Sequence, residues 1–349
     1  MVHAMALALL PLTVWATPSA QATPAHRGDS DWKLNFSADL AYDDNVFEYS
    51  QEDIKRFKTG ESPERFGFKT IGDFFLTARA SAEKCFWRQR KSRTYLETDV
   101  RARVYEHDTE ADDLQFQLGV RHVFDRKHWA RLRFTYLPDY FVRRLYDRET
   151  SSYVPAEFNY AAAALTYGQR FSTEWSGQVQ IGWERRDYNL ALNERDSDNL
   201  TFGLLGRYEP NDRWGLWAGF ETQRSDARAH DAFPDIDADV SFDQNVWSLG
   251  ARYRTSSRDY WQGEWQHYGQ VYTTRLTPQE DPYHSGRVDA TDSFELRYHR
   301  RLGKRHALEA AWLHEQASSS LDPSLAGTTS GDSLGYVRNL FSVGYTYGF

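Results

Sequence analysis

Between Tyr95 and Tyr105 the side chains alternate in kind: Leu96, Thr98, Val100, Ala102 and Val104 fall on one set of positions, Glu97, Asp99, Arg101 and Arg103 on the other. A period of two puts successive side chains on opposite faces of a strand, so this segment has an apolar face and a charged face. The pattern returns with Leu114, Phe116, Leu118 and Val120 against Gln115, Gln117 and Arg121, and again with Ala130, Leu132, Phe134 and Tyr136 against Arg131, Arg133 and Thr135. One such strand suits any half-solvated antiparallel sheet. Repetition is more restrictive. Further strands are expected near 34–42, 73–83, 158–171, 175–188, 200–208, 214–223, 246–254, 260–272, 293–302, 306–315 and 339–349, about fourteen in all. Most run ~9 to 14 residues, which matches tilted spans of an outer membrane rather than the ~5 to 6 residues of globular sheets.

The connections alternate in length. Polar, turn-rich clusters at 125–128, 172–174, 209–213, 255–259 and 303–305 are short enough to close hairpins. Between them lie long connections at 43–72, 137–157, 189–199, 224–245, 273–292 and 316–338. This predicts an all-β fold: an antiparallel up-and-down transmembrane barrel with short periplasmic turns, long extracellular loops and both ends in the periplasm. The outward connection at 106–113 is shorter than its peers, and the inward one at 84–91 is longer.

Composition decides which solvent the apolar face meets. Mean hydropathy is −0.73, and beyond the first twenty-odd residues no apolar run approaches the ~18 needed for a spanning helix. A barrel is compatible with that value, because only alternate residues face lipid. The chain has 21 Tyr, 21 Phe and 12 Trp, an excess that interfacial girdles would use. A soluble β-sandwich or carbohydrate-binding barrel also favours Tyr and Trp, but strand length and loop phase point to the membrane. A net charge of −8 without a basic stripe gives no support to nucleic-acid binding. Cys85 is the single cysteine, has no internal disulfide partner, and reads as a strand-end residue.

At the N-terminus, an apolar stretch over 4–14 precedes Ala20-Gln21-Ala22, a small-x-small site before Thr23. The expected organisation is a signal peptide over 1–22, a short periplasmic segment over 23–31 and the barrel over 32–349. The leader's charged region offers only His3, and no cysteine follows it for lipidation.

The polar positions of the strands predict the lining of the lumen: Glu97, Asp99, Arg101, Arg103, Arg121, Arg131, Arg133, Glu184, Arg186 and Arg207 in the first half of the chain. The second half supplies Glu221, Arg252, Arg254, Glu264, Glu295, Arg297, Glu309 and Glu315, giving ten arginines and eight acids. Opposed clusters of the two signs would set a transverse field that screens permeating solutes. Alternatively, the charges pair across strands and brace a closed barrel, each pair contributing little.

Two segments carry resemblances. Phe341, Val343, Tyr345, Tyr347 and Phe349 alternate up to a terminal Phe, which resembles the C-terminal signature of bacterial outer-membrane proteins and implies recognition by the barrel-assembly machinery. Tyr42-Asp43-Asp44-Asn45-Val46-Phe47 is similar to the opening of outer-membrane barrels associated with exopolysaccharide or surface-protein export, including surface lipoprotein assembly modifiers. Those modifiers carry a helical-repeat domain before the barrel, for which there is no room here. Asp and Asn also suit a strand-to-loop bend without any such role.

Asp43 and Asp44 beside one strand, with His107 and Asp108 beside another on the same side, resemble the Asp-Asp plus His-Asp arrangement of omptin proteases. That implies a histidine general base and a polarised water. Omptins have ten strands with the pairs facing across the mouth, whereas these residues sit on strands one and three. No His-x-Ser-Asn-Gly segment points to a phospholipase. Asp235, Asp237, Asp239 and Asp243 offer alternate oxygens for Ca²⁺ but lack the central Gly and terminal Glu of an EF-hand, so a solvated acidic loop is the expectation and no metal or other cofactor is predicted.

The resulting expectation is a non-enzymatic outer-membrane conduit for small hydrophilic solutes or an exported polysaccharide, with 224–245 and 316–338 as gate candidates. The alternatives are a closed barrel acting as a surface scaffold or assembly factor, and a rim hydrolase.

Overall fold

The computed structural model describes residues 32–61, 63–147, 150–228, 239–275, 277, 279, 281, 284–320 and 335–349. The expected signal peptide and periplasmic segment lie outside them, as do Asp235 and Asp237. The strands are β1 (Trp32–Asp43), β2 (Asp73–Gln89), β3 (Ser92–Tyr105), β4 (Asp113–Val123), β5 (His128–Asp147), β6 (Ser152–Arg170) and β7 (Trp175–Tyr188). They continue with β8 (Ser197–Tyr208), β9 (Trp214–Ala227), β10 (Phe242–Arg254), β11 (Asp259–Tyr272), β12 (Val288–Arg301), β13 (His306–Ser319) and β14 (Val337–Gly348). Each pairs antiparallel with its sequence neighbours, and β14 pairs with β1 to close the barrel. The seam runs from Asn35↔Gly348 to Asp43↔Leu340. Phe349 lies just past β14, where its N–H donates to the Leu34 carbonyl at 2.9 Å and its ring meets Phe36 edge-on.

Closure leaves no free sheet edge, which is the condition for strands to cross a bilayer. The outer face is a belt of exposed apolar side chains that includes Leu40, Leu76, Val104, Leu118, Phe134, Ile181, Leu249 and Val343. So large a contiguous apolar surface requires lipid around it. At the short-turn rim, aromatic pairs on adjacent strands mark the interface: Trp175 with Tyr208, Trp214 with Tyr253 and Trp261 with Tyr298, their centroids 4.5 to 4.8 Å apart. Tyr42 against Phe74 does the same near the long-loop rim.

The short turns share one device. Asp125, Ser172, Asn211 and Ser256 each place a side-chain oxygen where the N–H groups two and three residues later donate to it, at 2.7 to 3.2 Å. The turn's amides are thereby satisfied without a strand partner. The His128 ring, hydrogen-bonded to Asp125, together with the two amides pulls that carboxyl down to about 2.

Some strands outrun the sequence expectation. The 84–91 connection is mostly strand: β2 reaches Gln89, with a bulge between Cys85 and Trp87, so Cys85 sits at that irregularity and not at a strand end. The expected 137–157 loop is also mostly strand, because β5 and β6 extend to 20 and 19 residues. Pro138, which has no N–H for the ladder, falls at a bulge between Leu137 and Tyr140, where Asp139 takes φ 44°.

Candidate functional site

The inner face of the barrel has two zones. Towards the long loops it is packed. Leu137, Phe158, Tyr160 and Tyr188 form one apolar cluster with Leu192 of the connection between β7 and β8. Ala41, Phe75 and Tyr105 form another. A third comes from the connection after β1, where Phe47, Tyr49 and Phe66 are buried against Phe141 of β5, with Ile54, Phe57 and Phe68 around them. That connection contains the helix α1 (Gln51–Thr59), capped by the Ser50 hydroxyl, which accepts the Asp53 N–H at 3.1 Å, and ended by Gly60 at φ 74°. The connection therefore folds over to the inner side of β5 instead of standing up into solvent.

A polar latch holds it. The Arg338 guanidinium on β14 meets three carboxylates: Asp43 of β1 at 2.6 Å, Glu48 of the connection at 2.9 Å and Glu315 of β13 at 3.1 Å. Asn45 folds the chain beside it, donating to the Tyr49 and Val337 carbonyls and accepting the Tyr49 N–H. Arg143 of β5 lies over the Tyr49 ring at 5.3 Å. The best-defined closure of the mouth is thus the 44–72 connection. The gate candidates expected from sequence, 224–245 and 316–338, lie partly outside the described residues.

Below this layer the inner face is polar and charged. The residues expected to line the lumen, Glu97 through Glu315, are all buried or half-buried, while their apolar neighbours along each strand are mostly exposed on the outer face. Most are paired. Arg121 bridges Glu83 and Glu97, which also pairs with Arg131 at 2.9 Å. Arg79 meets Asp99 at 2.7 Å, while Arg101 and Arg103 share Asp113. Across the barrel, Arg186 pairs with Glu184, Arg252 with Glu209, and Arg297 with Glu295 and Glu309.

The two signs are unevenly placed. Six arginines (Arg79, Arg101, Arg103, Arg121, Arg131 and Arg133) stand on β2 to β5 with four acids, Glu83, Glu97, Asp99 and Asp113, and six glutamates (Glu184, Glu221, Glu264, Glu295, Glu309 and Glu315) stand on β7 to β13 with Arg186 and Arg297 among them. Arg207, Arg252 and Arg254 gather near the short-turn rim of the acidic side. Among the described residues, Arg133, Arg207 and Arg254 have no carboxylate within 4 Å, and Glu221 and Glu264 have no cation there.

The rim residues do separate jobs. Asp43 is fully buried in the latch and also accepts the Asn45 N–H. Asp44 accepts both the N–H and the Nδ2 of Asn339, at 2.6 and 2.8 Å. Asp108 accepts the Lys69 N–H at 2.6 Å and the Thr70 hydroxyl at 2.8 Å. The His107 ring bonds Asp73 at 2.8 Å, a residue that sequence reasoning passed over as the start of a strand. Among the described residues no hydrogen bond or ion pair joins the Asp43–Asp44 pair directly to the His107–Asp108 pair; Asp73, the register partner of Asp43, stands between them. Asp73, Glu106 and His107 have ligand atoms within 4.8 Å of one another, the one such group among the described residues. Asp73 is already engaged there by the N–H groups of Phe74, His107 and Asp108. Of the acidic-loop residues, Asp239 accepts the Ser241 N–H and Asp243 lies in β10 opposite Arg224.

Fold and lining together define a transmembrane β-barrel of the outer-membrane type. No protein-family model matches the sequence, and no curated protein does. Solved structures similar to it include OmpT, an outer membrane protein of Vibrio cholerae, in its in-vitro folded form: 9% identity, TM-score 0.47, covering 93% of this chain and 99% of that one. An anion-selective porin from Comamonas acidovorans is 11% identical with TM-score 0.45, covering 91% and 98%. Pseudomonas aeruginosa OprD is 9% identical with TM-score 0.41, covering 91% and 95%.

Proposed function

We propose that the chain is an outer-membrane conduit for small hydrophilic solutes, with a lumen divided into a basic and an acidic wall and an outer mouth closed by the 44–72 connection. The observation that carries this reading is the set of ionisable groups on the inner face without an opposite partner at ion-pair distance: Arg133 on β5, Glu221 and Glu264 on β9 and β11, and Arg207 and Arg254 towards the short-turn rim. Charges that served only to brace the wall would be paired, since unpaired charge away from bulk water is costly. A solute in an aqueous path would meet both signs and be sorted by dipole and charge. The reading includes no catalytic step and no cofactor. It includes cleavage after Ala22 and recognition of the terminal strand by the assembly machinery.

Single-channel recording across a salt gradient tests it. Ion-selective steps are expected, and replacing Arg131 and Arg133 together by Gln should move the reversal potential toward cation preference. A folded barrel that stays silent would instead favour a second reading, a closed surface scaffold, for which the packed outer clusters are the supporting observation. Passage of a polysaccharide, the other cargo considered, would require the 44–72 connection to leave the mouth.

A further inference from the structure

We propose that the short-turn rim is a docking surface for the anionic phospholipid headgroups of the periplasmic leaflet, and that the two turns beside the β1–β14 seam form its strongest part. This holds whether or not the barrel conducts. The six short turns, at 86–93, 124–128, 170–174, 209–214, 255–259 and 300–306, together hold thirteen Lys and Arg against five Asp and Glu. That is an excess of eight cations at one end of a chain whose net charge is −8.

The acids of the turns are mostly spent. Asp125 accepts the Lys127 and His128 amides, Asp259 accepts the Ser256 and Tyr298 hydroxyls, and Glu209 pairs with Arg252 at 2.9 Å. The cations are not. Between β2 and β3, Arg88, Arg90, Lys91 and Arg93 are exposed; between β12 and β13, so are Arg300, Lys304 and Arg305. Neither of these two segments contains an acid. Among the described residues, Arg90, Lys91, Lys304 and Arg305 have no carboxylate within 4 Å. Gln89 and Ser92 are register partners, so Arg90 and Lys91 are the two residues of the loop between them. Arg90 is held there at φ 46°, a left-handed conformation that costs a residue with a side chain and that glycine adopts freely. The barrel order brings the two basic turns to either side of the paired chain ends, where the Arg305 carbonyl accepts the Gly348 N–H and Trp32 lies opposite Lys84.

The apolar side chains beside these cations decide what they face. Trp32, Phe86 and Trp87 are 46%, 56% and 41% exposed, and the Lys84 ammonium lies over the Trp32 ring at 4.8 Å. With the Trp–Tyr pairs of the same rim they mark the lipid interface, so the cations stand at headgroup level. Each of the six turns carries at least one exposed cation, and the charge therefore runs round the whole circumference. An acidic protein would meet one side of the mouth, whereas a leaflet surrounds the barrel. Basic side chains at such a surface draw anionic lipids to it.

The test is quenching of tryptophan fluorescence in the full chain, folded into phosphatidylcholine vesicles in which part of the lipid is replaced by dibrominated phosphatidylglycerol or, in parallel, by dibrominated phosphatidylcholine. Both leaflets of such vesicles are alike, so the direction of insertion does not matter. The anionic lipid should associate several-fold more strongly than the zwitterionic one, and the preference should shrink as NaCl rises from about 0.05 M to about 0.5 M. Replacing Arg90, Lys91, Lys304 and Arg305 together by Gln should lower the ratio at least twofold while heat-modifiable mobility stays normal. Lys304→Gln with Arg305→Gln alone should take it part of the way, and serves if the fourfold variant does not fold. Equal quenching by the two lipids, a preference indifferent to salt, or one unchanged in the variants would overturn the proposal. Poly-L-glutamate that binds the wild-type chain and not the variant, while the two lipids quench alike, would overturn it in favour of an acidic protein partner.

Discussion

Glu48 is the residue on which closure of the mouth is most sensitive to solution conditions. It sits in the loop after β1 at φ 54°, a left-handed conformation that a non-glycine residue holds only when its surroundings require it. Burial pushes its carboxyl from an ordinary 4.5 up to about 7. Arg338 and Arg143 oppose the rise, and Glu315 and Asp43 add to it. In an open loop the same carboxyl is solvated and titrates normally. Between about pH 5 and pH 7 the closed form therefore holds a proton that the open form has released. Closure is favoured most below about pH 5, and this contribution is lost as pH rises through about 7. At the limit the open-to-closed ratio changes by roughly two orders of magnitude. Open probability should thus rise from pH 5 to pH 8, and Glu48→Gln, which keeps a neutral hydrogen-bonding side chain, should flatten the profile and stay closed at pH 8. Recording both proteins across that range decides it. An unchanged profile in Glu48→Gln would place the pH response elsewhere.

At the scale of the elements, the turns and the strand faces make separate demands. Removing the Asn211 side chain leaves the Arg213 and Trp214 amides without their acceptor, and Ser256→Ala does the same to Arg258 and Asp259. Each substitution should cost about 1 kcal/mol, measured by urea unfolding in lipid vesicles from tryptophan fluorescence. A larger penalty is expected at Gly250, where an added Cβ would lie 2.1 Å from the Trp217 indole of the paired strand. Gly250→Ala should lose about 1–3 kcal/mol by overpacking, and Trp217→Leu in the same chain should recover part of it. The turns were legible in the sequence because Asp, Ser and Asn act on amides two or three residues away. So were the strands that cross the bilayer, since one lipid face enforces alternation. Beyond the membrane that rule lapses: Phe141, Leu145 and Phe158 are all buried where β5 and β6 rise into the loop clusters, and the segment reads as a loop. The latch was invisible for another reason. Arg338 and Glu48 are brought together only when β14 pairs with β1, and no local pattern encodes that meeting.

For the whole molecule, the question is whether the packed outer layer lies on the solute path. The 44–72 connection starts at β1 and is latched by Arg338 of β14, yet its aromatic side chains pack on Phe141 of β5. It therefore spans part of the mouth from one side of the wall to another. Its own fold is reinforced by a buried pair, Asp53 with Arg65 at 2.9 Å, so it behaves as a unit and not as a loose strand of chain. If it closes the path, replacing residues 51–65 with a short Gly-Ser link should raise single-channel conductance several-fold. The charge selectivity set further down by Arg131 and Arg133 should be retained. The β1–β14 seam does not pass through the excised residues, so heat-modifiable mobility should persist and separate a widened channel from a misfolded one. A conductance equal to that of the intact chain would mean that solutes pass beside the connection, between it and the acidic wall. The remaining constriction would then lie at the level of Glu221 and Glu264.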